Sequence, residues 1–176
     1  AASNLASFLL YFLQERFPGL QGNAAAQPAT LLVMATGIAI LLAALPAGWL
    51  ADKIGTKPVL AVSGIIAAAG TLVVIAAHDM STMTVGAGLV GVASGAFYSA
   101  NWALGTQIVP KKEAGRYLGI SNLAGAGAGA IGAYIGGPIG DSSGYVVQMA
   151  IYAALFLFST LALLRIKPAN HKAEHA

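Results

Sequence analysis

The side chains able to do chemistry are few in these 176 residues, and most of them interrupt long apolar runs. Ser94, Tyr98, Asn101 and Gly105 follow one another at four, three and four residues, so a helix places them on one face, with Trp102 beside them. An amide next to an aromatic ring in apolar surroundings either bonds a neighbouring helix or holds a polar ligand. Asn122 is a second such amide. Near the N-terminus Asn4, Ser7, Tyr11 and Gln14 recur at three, four and three residues and share a face, opposite Phe8, Leu9, Phe12 and Leu13. That polar face is expected to line a bundle interior or a wet cavity, and the apolar face to meet lipid. The chemistry on offer is binding. A serine nucleophile needs a base within hydrogen-bond reach, and no apolar run contains a His. His171 and His175 are four apart in the tail but have no third ligand, and the chain has no cysteine to supply a thiolate. No enzyme activity, metal or cofactor is therefore expected. Tyr11, Gln14, Tyr98, Asn101, Trp102 and Asn122 are the expected contacts to a small polar solute.

The elements that must position these groups are set by composition. Hydrophobic residues make up 57% and charged residues 9%, with a mean hydropathy of +0.76, whereas a soluble domain carries about a quarter charged residues. Six apolar runs stand at about 3–17, 29–51, 59–77, 83–109, 117–140 and 145–166. All but the first reach the roughly 20 helical residues that span a bilayer core of about 30 Å. The expectation is an all-α membrane protein with six transmembrane helices over residues 1–168 and a polar tail over 169–176. The first run is short enough to suggest that the chain begins part-way through a helix. The third run, with only Ser63 and Thr71 for polarity, reads as peripheral and lipid-facing. Gly86, Gly88, Gly91 and Gly95 thin the fourth run for close helix contact, and a denser series from Gly125 to Gly137 does the same for the fifth.

Charge gives the sidedness. Lys53, Lys57, Lys111, Lys112, Arg116, Arg165, Lys167 and Lys172 follow the second, fourth and sixth runs; only Arg16 lies at the other end. If every run crosses once, the positive-inside rule puts those patches and the C-terminus in the cytoplasm. The net charge of +3 is thereby explained by the bilayer, and nucleic acid has no role as a partner.

The charged interruption Gly48-Trp-Leu-Ala-Asp52-Lys53-Ile-Gly55-Thr-Lys57-Pro58 has its own logic. Gly48 lets a neighbouring helix approach, and Asp52 can accept N–H bonds at a helix N-terminus, where negative charge is favoured. Gly55 supplies a tight turn, and Lys53 and Lys57 hold the segment at an anionic membrane surface. The pattern resembles the signature loop of the major facilitator superfamily, found between the second and third helices of each six-helix half. Ser99 to Pro110 followed by Ala114 to Asn122 is similar to the tenth and eleventh helices of bacterial members akin to glycoside and sucrose cation symporters, and Tyr11-Phe-Leu-Gln14 to the end of their seventh.

The resemblance implies the C-terminal six-helix half of a secondary active transporter, in which two halves rock about a midplane site. It implies a multi-pass protein of the bacterial inner (plasma) membrane and a sugar or glycoside among the candidate solutes. The implied partners are the lipid bilayer, a coupling proton or cation, and either a missing N-terminal half or a second copy in a homodimer. Helices seven, eight, ten and eleven would line the cavity; nine and twelve would face lipid. Gly48, Asp52, Lys53, Gly55 and Lys57, with Arg116, would form a gate latch that ties the second and third helices to the start of the fifth. Related sequences often carry an acid where this one has Gln107, so this half has no deep carboxylate for coupling. Two alternatives remain. Ala93-Ser94-Gly95 resembles in part the Gly-x-Ser-Gly turn of rhomboid intramembrane proteases, though Val92 stands where that turn has Gly. The other is a facilitator-like scaffold or sensor that transports nothing.

Overall fold

The computed structural model describes residues 2–108 and 113–165. The tail 169–176 with His171 and His175, the Lys111–Lys112 pair and the Gln107 side chain lie outside what is described. The chain folds as α1 (Ala2–Arg16), a short 3-10 turn (Gly22–Ala25), α2 (Ala26–Ile54), α3 (Thr56–Ala76), α4 (Met80–Ile108), α5 (Ala114–Ser143) and α6 (Tyr145–Arg165). Among the described residues five helices, α2 to α6, are long and apolar enough to cross a membrane. α1 has 15 residues, about 22 Å at 1.5 Å per residue.

Helices run further into the charged segments than the apolar runs suggest. Asp52, Lys53 and Ile54 continue α2, and only Gly55 breaks it, at φ +93° and ψ 155°. Thr56 then opens α3, with Pro58 in its first turn, where a missing N–H costs no helix bond. Gly144 makes the same one-residue break between α5 and α6, at φ +88°. Any side chain at Gly55 or Gly144 would force this backbone into a strained region.

The core overturns the expected orientation of α1. Phe12 and Leu13 are wholly buried, and with Leu5, Phe8 and Leu9 they meet Leu32 of α2, Val74 of α3, Met83 of α4 and Met149 of α6. Tyr11 and Ser7 point outward instead. The apolar face of α1 is therefore the centre of the bundle, not its lipid surface. Asn4 leaves the polar face too: with its amide nitrogen turned toward α5 it donates to the Gly129 carbonyl at 3.2 Å and accepts from Ala133 N at 3.3 Å.

A second correction concerns α3. It packs against α2, α4 and α6, and Ser63, Ala67, Ala68, Thr71 and Val74 are buried. Its two polar groups cost nothing there, because Ser63 Oγ donates to Leu60 O and Thr71 Oγ1 to Ala67 O, both at 2.8 Å. Val62, Ile65 and Leu72 keep an exposed stripe. α2 and α4 approach closely at glycines. A Cβ at Gly95 would collide with the Ile40 carbonyl, and one at Gly91 with the Thr36 carbonyl; Gly88, by contrast, faces open space. α5 presents Gly132, Gly136 and Gly140 to Asn4 and Phe8 of α1 and to Gln148 and Tyr145 of α6, while most of its remaining surface is exposed.

Candidate functional site

Two adjoining cavities open inside the bundle. The first, about 250 Å³, lies between α1, α2, α3 and α4 and is lined by Leu9, Thr36, Gly37, Val90, Ser94 and Tyr98 among others. The second, about 440 Å³, lies between α3, α4, α5 and α6. Ser94 and Tyr98 line both, so one turn of α4 forms their shared wall. Phe97 stands edge-on to Tyr98 with ring centroids 6.1 Å apart. Such mostly apolar pockets with a few polar groups are where proteins hold small ligands.

Of the sequence-predicted contacts, Tyr98 alone lines these cavities. Asn101 and Trp102 continue α4 beyond it and are exposed, as is Asn122 on α5. Neither amide bonds another described residue, so neither fastens two helices among the described residues. Tyr11 and Gln14 lie elsewhere, in an open cleft of about 470 Å³ at the end of the bundle with Glu15, Gln21, Asp141 and Tyr145. Gln14 accepts there from Gln21 Nε2 through its backbone carbonyl at 3.0 Å. Tyr11 stacks on Tyr145, 5.4 Å between centroids and 13° between planes. The six contacts are thus not brought to one place: Tyr98 lines the inner cavities, Tyr11 and Gln14 the end cleft, and Asn101, Trp102 and Asn122 are exposed on α4 and α5.

That cleft contains an arrangement not foreseen from the sequence. Glu15 Oε2 accepts from Tyr145 N at 2.5 Å, which puts a carboxylate at the N-terminus of α6, where unpaired N–H groups and the helix dipole favour it. The next residue does the converse. Arg16 Nε donates to Ala77 O at 3.0 Å and so satisfies a carbonyl at the C-terminal end of α3. Arg16, the one basic residue outside the charge rule, is thereby accounted for by structure. Tyr145 Oη donates to Asp141 Oδ1 at 2.7 Å, linking α6 to the end of α5. Asp79 caps α4 in the usual way, accepting from Thr82 N at 2.8 Å and from Thr82 Oγ1 at 2.7 Å. The backbone bond from Thr82 is the main reason its carboxyl lies below the ordinary range. The adjacent opposite charges Glu15–Arg16 at the end of an apolar helix were the one sequence signal for this clamp.

At the other end of the bundle the signature segment is placed differently from the expected latch. Gly48 does face a neighbouring helix, since a Cβ there would lie 2.8 Å from Ser99 Oγ of α4. Lys53 sits over the Trp49 ring, 3.8 Å from its centroid, an attraction of cation to ring face one turn apart. Asp52 is exposed in the last turn of α2 and bonds no described residue, those at the start of α5 included. Arg116 there faces Glu113 at 3.9 Å instead, both exposed. Lys57 is half-buried.

Ser94 Oγ donates to Val90 O at 2.8 Å, and no described helix brings a histidine to it. A protease arrangement therefore has no base among the described residues.

The family model described as Major Facilitator Superfamily matches residues 2–176. The chain is similar to the minor myo-inositol transporter IolF of Bacillus subtilis (strain 168), with 28% identity over 134 residues that cover 76% of this chain and 30% of that protein. It thus spans under a third of that relative's length. No solved structure matches it. With five membrane-length helices, the glycine-broken signature segment and a family match along nearly the whole sequence, the chain belongs to the major facilitator superfamily.

Proposed function

We propose that this membrane transporter chain is the C-terminal half of a secondary active carrier for a small neutral polar solute, a polyol or sugar. The observation that supports it most is the wall formed by Ser94 and Tyr98, a hydroxyl and a phenol between two cavities at mid-helix depth. The exposed amides Asn101 and Asn122 would extend that polar surface, and Tyr11 and Gln14 would meet solute in the cleft at the end of the bundle. The similarity to a myo-inositol transporter favours the same solute class. In this reading the end bearing Asp52 and Arg116 is cytoplasmic, and Gly48, Asp52, Lys53, Gly55, Lys57 and Arg116 form a latch at that end. A second six-helix body, from the same reading frame or from another copy, completes the path. A proton or cation would couple through that body, since no acid is among the described residues that line the two inner cavities.

The test uses the full reading frame, purified and reconstituted in liposomes. Labelled myo-inositol is expected to accumulate, with sugars competing and a proton or sodium gradient driving uptake. Tyr98→Ala or Asn101→Ala is expected to raise KM about tenfold, equivalent to about 1.4 kcal/mol. Absence of uptake for every polyol and sugar tried would leave the scaffold reading in its place.

A further inference from the structure

The second cavity has a property that the proposed function does not use. Its room comes from short side chains, among them Gly125 and Gly129 of α5, and its polar lining is Ser63, Ser94, Ser159 and Tyr98. A hydroxyl has one hydrogen to donate and two lone pairs. Ser63 Oγ gives its hydrogen to Leu60 O and Ser94 Oγ to Val90 O, each at 2.8 Å. Both serines are buried, so what they show to the cavity is acceptor capacity only. Thr36 in the first cavity is committed in the same way, to Leu32 O at 2.8 Å. No charged residue is among those lining either cavity.

We propose that the space between α3, α4, α5 and α6 is a second solute chamber, joined to the first across Ser94 and Tyr98, that accepts hydroxyl hydrogens from a neutral polyol-type solute through Ser63 and Ser94. This rests on the reading of the chain as part of a solute carrier. Ser63 and Ser94 favour a ligand that brings O–H donors, while the Ser159 and Tyr98 hydroxyls can donate to its oxygens, a mixed set that a polyol satisfies. A lipid chain, the competing occupant of a gap in a membrane protein, has no donor to offer. At about 440 Å³ against about 250 Å³ the second chamber is also the roomier.

The full-length protein in liposomes tests this with two variants and one control. A Cβ at Gly125 meets nothing within 4 Å, so Gly125→Leu fills the chamber without displacing backbone; KM for labelled myo-inositol should rise at least tenfold. Ser63→Ala removes one acceptor. It should raise KM about threefold and erase the wild-type discrimination against the one mono-deoxy analogue that lacks the matching hydroxyl, a change that looser helix contacts alone would not produce. Gly88→Leu, at a glycine that also meets open space and lines neither cavity, should keep the wild-type KM. If Gly125→Leu fails to fold, Ser63→Ala still decides. Wild-type KM and wild-type analogue preference in a folded Ser63→Ala would overturn the chamber while leaving the carrier intact. A wild-type protein that moves no polyol would overturn both.

Discussion

Single residues at the ends of helices do more in this bundle than their exposure suggests. Glu15 stands at the N-terminus of α6 and Arg16 at the C-terminus of α3, so the last turn of α1 fastens two other helices through opposite charges. Replacing a capping acceptor by Ala costs about 1 kcal/mol. Glu15→Ala should therefore lower the melting temperature of the full-length protein in detergent, and Glu15→Gln, which keeps an acceptor and loses the charge, should lower it less; equal melting of all three would remove the clamp. Asp79 gives a pH-dependent counterpart. Its folded carboxyl lies below the ordinary aspartate range, chiefly through the Thr82 N–H. A depressed folded pKa means that its stabilisation is fully present above the unfolded pKa and is lost as pH falls through the folded one. Thr82 amide protection from hydrogen exchange should fall in that acid window in the wild type. In Asp79→Ala, protection at Thr82 should be low at every pH. The sequence displayed Glu15 and Arg16 but not their partners, which lie 130 and 61 residues away.

At the scale of the helix, apolar patterning located the elements but not the side each one turns inward. In water an apolar face can only be a core face. In a bilayer the lipid is as apolar as the core, so the division of α1 into two faces leaves either assignment open. The bundle buries Phe12 and Leu13 and turns Tyr11 outward, 48% exposed. Helix limits were missed for a simpler reason: Asp52 and Lys53 are charged but do not break a helix, and Gly55 with its positive φ is what ends α2. Glycine spacing on α4 was more informative, since Gly86, Gly91 and Gly95 all meet backbone or side chains of α2 or α3. Gly88 in the same series does not, because it lies on another face of the helix. Gly95→Leu should separate α2 from α4 and cost about 1–3 kcal/mol, as overfilled sites do. Gly88→Ala should leave thermal stability unchanged or raise it, by a gain in helix propensity. A thermal melt that ranked the two equally would contradict the close α2–α4 approach.

For the molecule as a whole, the family and the six-helix character were legible because the signature segment and the run lengths are local in sequence. The cavity walls were only partly so. Tyr98 was accessible to periodicity, whereas Ser63, Gly125 and Gly129 join it only through the assembly of α3, α4 and α5. The described chain also leaves broad apolar surfaces on α2 and α5, with Leu41, Leu42, Leu45, Leu123 and Ile131 exposed, where lipid or a second six-helix body would lie. The central claim is that the Tyr98 face is a path for solute and not a surface in lipid. The chain contains no cysteine, so a single Tyr98→Cys substitution in a cysteine-free full-length protein makes a clean probe. In liposomes the thiol should react with a membrane-impermeant maleimide, and saturating myo-inositol should slow that reaction severalfold. A thiol that reacts only with a lipid-soluble maleimide, at a rate indifferent to every polyol and sugar, would contradict it.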